Sequence, residues 1–135
     1  MEEGFEEIEH TADVALRVWG KDLKELFINA ARGMAWLLAD PDTVKPAVKV
    51  PLELTAYDAE TLLVTWLGEL LFYNEMEGLV FTAFDLEEVT PTRLRGAARG
   101  GRPGETRRHI KAVTFHEMNI RPTVRGLETT VVFDV

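Results

Sequence analysis

The sequence contains no cysteine, and this absence excludes several kinds of chemistry. Without thiols the chain can form neither disulfides nor thiolate metal sites, and it cannot use a cysteine nucleophile. No apolar run approaches the roughly 20 residues that a membrane-spanning helix needs. The first residues, Met1-Glu2-Glu3-Gly4, are acidic and polar, which is unlike a signal peptide. We therefore expect a cytoplasmic protein with no membrane segment.

What the chain does contain is typical of a globular protein. Its 135 residues are 46% hydrophobic, and we expect a single domain over residues 1–135. The net charge is −8, yet nine of the 15 Lys and Arg residues lie between positions 93 and 125. Arginines there either keep a sheet edge soluble or form a patch for an acidic protein surface or RNA phosphates. The acidic remainder and the scarcity of nearby aromatics count against direct RNA binding.

Two helices are predicted from apolar residues at helical spacing. The first begins after Asp22, which can cap it, and it ends before Asp40-Pro41 because the residue before a proline avoids helical angles. The second is predicted over Ala59–Glu77, with Asp58 as its N-cap and Gly78 as its stop. Capping accounts for Asp58 without giving it a part in a functional site.

The remaining segments alternate in the manner of β-strands. We predict strands over residues 5–9, 14–19, 47–56, 79–89, 92–98, 110–118 and 126–135. Pro51 cannot donate to a ladder, so its strand is expected at an edge or with a bulge. Gly100–Gly104 is expected to form a mobile loop. This order of elements predicts an α+β fold, with two amphipathic helices packed on a mainly antiparallel sheet.

Two acidic residues stand at strand ends near opposite ends of the chain. Asp13 precedes the strand 14–19, and Asp134 comes one residue before the terminal Val135. A carboxylate beside an apolar strand is costly unless a positive group meets it, so the pair suggests a cation site. With the terminal carboxylate of Val135, these oxygen ligands favour calcium, magnesium or manganese over zinc. The structural alternative is an Asp13 that bonds backbone amides and an Asp134 that faces solvent.

Three further residues are candidates for the same site. Lys111 shares a predicted strand face with apolar residues, so its ammonium must reach solvent or pair with an acid such as Asp13 or Asp134. His10 lies three residues before Asp13 and can converge with it only if a turn or bulge lies between them. His116 is a candidate ligand, a hydrogen-bond donor or a surface residue.

An ordered set of segments gives the chain a resemblance to a known family. The segments are Glu9–Asp13, Asp22–Ala31, Asp58–Leu71, Lys111–His116 and Val132–Val135. In order and spacing they resemble the archease family over nearly the whole chain. The resemblance implies that Asp13 and Asp134 correspond to the family's acidic metal-binding residues and that Lys111 matches its strand lysine. It also implies that His10 lies in the same motif as Asp13.

The resemblance implies a function as well as a site. Archeases are accessory factors of the GTP-dependent RNA-splicing ligase that joins 2′,3′-cyclic phosphate or 3′-phosphate ends to 5′-hydroxyl ends. They promote formation of the ligase–GMP intermediate and thereby allow repeated turnover. The implied role is an activator that is not itself catalytic and that holds a divalent metal ion. The arginine-rich hairpin from Arg93 to Arg108 is not among the segments that carry the resemblance, so its role, including a tRNA contact, stays open.

Functions of other classes stay open beside this one. A small metal-dependent phosphoesterase would need a second acid pair and a clear general base, which the sequence does not offer. A general chaperone or interaction module would bind unfolded proteins broadly, and the chain lacks the large Met-rich apolar stretch that promiscuous binders use. A tRNA-binding adaptor rests only on the arginine-rich hairpin and predicts steeply salt-dependent RNA binding.

Overall fold

The computed structural model describes residues 3–8 and 13–135, and most of its elements lie within a few residues of the predicted bounds. In chain order the elements are β1 (Phe5–Ile8), β2 (Val14–Gly20), α1 (Leu23–Leu38), a 3-10 turn (Pro41–Thr43), β3 (Val48–Thr55), α2 (Ala59–Glu77), β4 (Val80–Val89), β5 (Arg93–Gly101), β6 (Ala112–Val113), β7 (Arg121–Thr123) and β8 (Gly126–Asp134). Within the described ranges, no helix combines the length and hydropathy that crossing a bilayer requires.

The strands form two sheets. The large sheet has the order β1-β2-β8-β6, with β7 also paired to β8, and the small sheet has the order β3-β5-β4. Neighbouring strands in both sheets run antiparallel. The predicted α+β class is therefore confirmed, and the structure adds that the strands divide between two sheets. β3, which contains Pro51, lies at an edge of the small sheet as predicted.

Helix α1 begins and ends where its local signals predict. Asp22 caps it, because the Glu25 amide donates to Asp22 Oδ1 at 2.8 Å. The Lys21 amide in turn donates to Glu25 Oε1 at 3.1 Å, which satisfies a second backbone group beside the helix start. The helix packs against β2 of the large sheet and β4 of the small sheet, so its buried face joins the two sheets.

Helix α2 is capped at both ends by the predicted residues. The Thr61 amide donates to Asp58 Oδ1 at 2.8 Å. Hydrogen bonds from the Thr61 side chain and then from its backbone lower the pKa of Asp58, because they favour the charged carboxylate. Gly78 ends the helix in the left-handed region, with φ at +71°. Asp58 is thus a helix cap, as predicted.

The outer face of α2 also carries apolar side chains. Its inner face is buried through Leu62, Trp66 and Leu70. On the opposite side, Phe72 is 54% exposed and Met76 is 66% exposed. Single exposed apolar residues are ordinary, but two on one helix face mark a surface that the fold itself does not use.

The predicted glycine loop begins later than expected. Gly100 and Gly101 are the last two residues of β5. Neighbouring backbones approach too closely at both positions to leave room for a side chain. A Cβ added at Gly100 would lie 2.3 Å from the carbonyl oxygen of Val80. A Cβ added at Gly101 would lie 2.3 Å from the carbonyl oxygen of Lys45. The glycines therefore permit close strand packing instead of a turn.

The predicted strand over residues 110–118 is wrong for most of its length. Only Ala112–Val113 form a strand. The chain then turns, with the Met118 amide donating to the Phe115 carbonyl at 3.0 Å. Glu117 adopts a φ of +61°, which no strand residue can have. The short β7 that follows is an element that the alternation did not predict.

Trp66 connects α2 to the rest of the core. Its side chain is fully buried. The indole Nε1–H donates to the carbonyl oxygen of Phe27 on α1 at 3.0 Å. The ring also meets Phe84 of the small sheet edge-to-face, with 5.9 Å between centroids. One side chain therefore fixes both the helix pair and the placement of α2 over the small sheet.

Replacing Trp66 with phenylalanine should destabilise the fold by about 1–3 kcal/mol, because it removes the bond to Phe27 and leaves a small cavity. Trp36→Phe makes the same change at a ring that is 36% exposed, and its cost should be below about 1 kcal/mol. Urea unfolding of both variants measures the difference. Equal losses would show that the buried indole is not the critical contact.

The lowered pKa of Asp58 predicts a pH-dependent contribution to stability. The folded pKa lies below the unfolded value of 3.8, so this contribution is present above pH 3.8 and is lost as the pH falls through the folded pKa. Asp58→Asn keeps a capping oxygen but does not titrate. The urea midpoint of the wild type should therefore fall more than that of Asp58→Asn between about pH 5 and about pH 3. Parallel decreases would contradict this role.

Candidate metal centre

The two predicted acids lie beside paired strand ends of the large sheet. The antiparallel register of β2 and β8 pairs Val14 with Phe133. Carrying this register one residue further places Asp13 opposite Asp134. Residues directly opposite each other share a face and have Cβ atoms roughly 4.5–5.5 Å apart. This spacing allows two carboxylates to share one cation.

The acid pair lies on the side of the sheet that faces away from the helices. Phe133 and Val131 point into the core between the sheets and the helices. Alternation along β8 therefore turns Asp134 to the opposite face, where it is exposed. The neighbouring Val135 is 41% exposed. A partner molecule can reach the pair from solvent.

Lys111 comes to the same end of the sheet but on its other face. Its amide donates to the carbonyl oxygen of Asp134 at 2.8 Å. The register pairs Val113 with the core-facing Phe133, and alternation puts Lys111 on that same side. Lys111 is exposed and lines a groove beside α2. Its ammonium thus reaches solvent, which is one of the two predicted outcomes.

Of the two predicted histidines, only His116 is among the described residues. The Thr114 amide donates to the Val132 carbonyl at 3.0 Å. The His116 amide donates to Thr114 Oγ1 at 3.2 Å. Because β6 runs antiparallel to β8, the chain at His116 has moved away from Asp134. His10 lies outside the described residues.

The oxygen ligands at the Asp134 end of the large sheet suit a hard cation, although they are too few to complete its coordination. In residues 3–8 and 13–135, no group of three or more His, Asp or Glu side chains is placed to hold a metal ion. Asp13 and Asp134 offer only oxygen donors, which suit calcium, magnesium or manganese. These ions take at least six ligands, so the remaining positions would fall to water or to a partner.

Arginines of the arginine-rich hairpin form ion pairs with carboxylates. Ion pairs among the described residues of the small sheet are Arg93–Glu53, Arg93–Glu88, Arg95–Glu87, Arg95–Glu88 and Arg99–Asp85. Arg107 stacks over the Trp36 ring at 5.3 Å and donates to the Trp36 carbonyl at 2.9 Å. Side chains paired in this way are less available to phosphates, which favours a solvated sheet face over an RNA-binding patch.

A cavity of about 750 Å³ lies at the opposite end of β2 and β8 from the acid pair. It is bordered by Trp19, Asn29 and Arg125, and the Arg125 guanidinium stacks 4.0 Å from the Trp19 ring centre. The Asn29 side chain donates to the Trp19 carbonyl at 2.8 Å. Because the length of β2 separates it from Asp13, this cavity is no part of the metal centre.

Sequence reasoning missed the groove between α2 and β6. Val64, Gly68 and Phe72 of α2 border it, together with Lys111 and Val113. The available signal was a spacing of four residues along the helix, which places the first three on one face. That face differs from the buried face of α2. The apolar spacing of the helix predicts only the buried residues.

Sequence comparisons match the chain to archeases. Residues 5–135 match the model of the Archease protein family. The archease of Methanopyrus kandleri is 39% identical over 124 residues, covering 86% of this chain and 88% of that protein. The archease of Saccharolobus islandicus strain M.14.25 is 41% identical over 136 residues, covering 97% of this chain and 98% of that protein.

Solved structures share the fold. The solution structure of Methanobacterium thermoautotrophicum protein 1598 superposes with a TM-score of 0.83 at 35% identity, covering 99% of this chain and 100% of that one. The crystal structure of a Thermotoga maritima protein described as an archease and possible chaperone gives a TM-score of 0.67 at 23% identity, covering 95% and 94%. At that identity the second likeness concerns the fold alone.

Proposed function

This chain belongs to the archease family, and we propose that it is an accessory factor of a GTP-dependent RNA-splicing ligase. In this role it promotes guanylylation of the ligase and thereby repeated joining of RNA ends. The chain itself makes and breaks no covalent bond. Its place of action is the cytoplasm, where it meets the ligase and not a membrane.

The observation that carries this proposal is the pair of carboxylates at the end of the large sheet. The β2–β8 register, extended by one residue, would set Asp13 opposite Asp134, and Asp134 is exposed to solvent. They would hold one divalent ion, with the Val135 carboxylate as a further oxygen donor. Such an ion neutralises negative charge on a nucleoside triphosphate, which GMP transfer requires.

A partial ligand set suits an accessory factor better than an enzyme. Two aspartates and a terminal carboxylate leave several positions of a calcium, magnesium or manganese ion to other donors. Phosphate oxygens and side chains of the ligase would supply them at its active site. Lys111 stands beside this end and would contact a phosphate or position a ligase carboxylate. The carboxylates bind and position, and the ligase performs the reaction.

The test compares isosteric variants in multiple-turnover RNA ligation with a cognate ligase. Asp13→Asn and Asp134→Asn keep the size of each side chain and remove its charge, so stimulation should fall to the rate of the ligase alone. Asp85→Asn changes an exposed strand aspartate of the small sheet in the same way, and it should stimulate like the wild type. Calorimetric titration with Mn²⁺ should show at least a tenfold loss of affinity for the first two variants only.

Full stimulation by folded Asp134→Asn would overturn the metal role. A wild type that fails to stimulate would overturn the accessory role and return the function to the other classes. Hydrolysis of phosphoesters by the purified chain would then favour the phosphoesterase. Suppression of aggregation of unrelated unfolded proteins would favour the chaperone. Salt-dependent tRNA binding that is lost in Arg107→Ala would favour the RNA adaptor.

A further inference from the structure

The cavity of about 750 Å³ lies where the end of β2, the start of α1 and the β7–β8 turn meet. Its volume falls within the range of roughly 300–1,000 Å³ that small-molecule sites occupy. Four cationic side chains among the described residues line it, and they are Lys21, Lys24, Arg32 and Arg125. The fold thus gathers positive charge in one recess, at the end of the large sheet away from the acid pair.

One of these cations, Arg32, is held in place by a buried side chain. Asn29 is only 7% exposed, and its Nδ2 donates to the Trp19 carbonyl at 2.8 Å. Its Oδ1 accepts from Arg32 Nη1 at 3.1 Å, and the same Nη1 donates to the Glu3 carbonyl at 3.0 Å. An arginine has donors on three nitrogens, so Nε and Nη2 are left for a ligand.

The wall around Asn29 is closely packed. Gly4 has a φ of +87°, and a Cβ added there would lie 2.1 Å from Asn29 Nδ2. The Trp19 amide donates to the Gly4 carbonyl at 2.9 Å, which joins this segment to the end of β2. The Trp19 ring in turn supports the Arg125 guanidinium at 4.0 Å. The recess is therefore formed by the fold itself, before any ligand enters.

Carboxylates also line the cavity, but two of the three serve the start of α1. Asp22 Oδ1 accepts the Glu25 amide, and Glu25 Oε1 accepts the Lys21 amide. The third, Glu3, is exposed. Within residues 3–8 and 13–135, no hydrogen bond or ion pair engages the ammonium group of Lys21 or Lys24. These two groups are available to an anion, and cations outnumber carboxylates on the lining.

The donor types of the lining indicate which anion it would take. A phosphate monoester carries about two negative charges and several acceptor oxygens, so it can use ammonium and guanidinium donors together. A carboxylate is matched by a single arginine fork. Ile28 lies on the same lining and is half-buried. It offers apolar contact to an organic group attached to the phosphate.

We propose that this cavity binds the phosphate group of a small phosphorylated molecule. Lys21, Lys24 and Arg32 contact the phosphate oxygens, and the organic part of the ligand lies against Ile28. This site goes beyond the proposed function, since it uses neither the acid pair nor the ligase. Binding is measured on the chain alone, so failure of either proposal leaves the other standing.

NMR titration of the isotope-labelled chain tests the site with inorganic phosphate, GMP and a short single-stranded RNA. Signals of Gly4, Lys24 and the Asn29 side chain should shift with GMP, whereas the amide of Asp134 should not. GMP should bind more tightly than inorganic phosphate, because it also contacts Ile28. Equal affinity for the two would overturn the contact with an organic group.

Paired lysine variants separate the cavity from net charge. Lys21→Gln/Lys24→Gln neutralises two exposed side chains and should weaken GMP binding about tenfold or more, because charge-assisted hydrogen bonds are lost. Lys45→Gln/Lys49→Gln makes the same changes at exposed lysines outside the lining and should bind GMP like the wild type. Glu25→Gln keeps a capping oxygen but removes a negative charge, so it should tighten binding.

The site is overturned if none of the phosphate probes shifts the cavity signals. It is also overturned if both lysine double variants weaken binding equally, because net charge alone would then attract the probe. RNA that binds more tightly than GMP, with the same loss in Lys21→Gln/Lys24→Gln, would overturn the small-molecule ligand and assign the phosphate to RNA. Circular dichroism of each variant confirms that its fold is retained.

Discussion

The register between β2 and β8 is the constraint on which the rest of the arrangement depends. Leu16, Val131 and Phe133 are fully buried, and all three point to the helical side of the large sheet. A slip of one residue would turn these side chains to the other face and bring Arg17, Thr130 and Asp134 toward the core. Burial thus selects one register, and that register sets Asp13 opposite Asp134. The buried apolar side chains therefore determine where the two acids lie, although the acids themselves are not part of the core.

The helices make this end of the molecule rigid. α1 contacts both sheets, and Trp66 fastens α2 to α1 and to the small sheet. With its inner face anchored in this way, α2 presents its outer face at a fixed distance from β6. Asp134 and the groove thus lie on opposite faces of the large sheet, and the same packed core supports both.

Local signals predicted the elements whose ends depend on neighbouring residues. Asp22, Asp58 and Gly78 mark helix ends through bonds within a few residues, and Pro51 marks an edge strand through its missing donor. The strand predicted over residues 110–118 was wrong because alternation of apolar and polar residues does not reveal a turn that depends on tertiary contacts. The division into two sheets arises from residues far apart in sequence, and the arginine–carboxylate pairs depend on the strand register of the small sheet. The acids could be named from their positions at strand ends, but their proximity required the register.

The pairing of β2 with β8 also bears on the order in which the chain can fold. Residues 14–20 must find residues 127–133, so the large sheet closes across more than a hundred intervening positions, a type of contact that slows folding. The small sheet and both helices use partners that lie closer together along the chain. During synthesis the amino-terminal residues emerge first, and β2 waits for β8 with one edge exposed. Asp13 and Asp134 therefore become a pair only when the last strand has been made and docked.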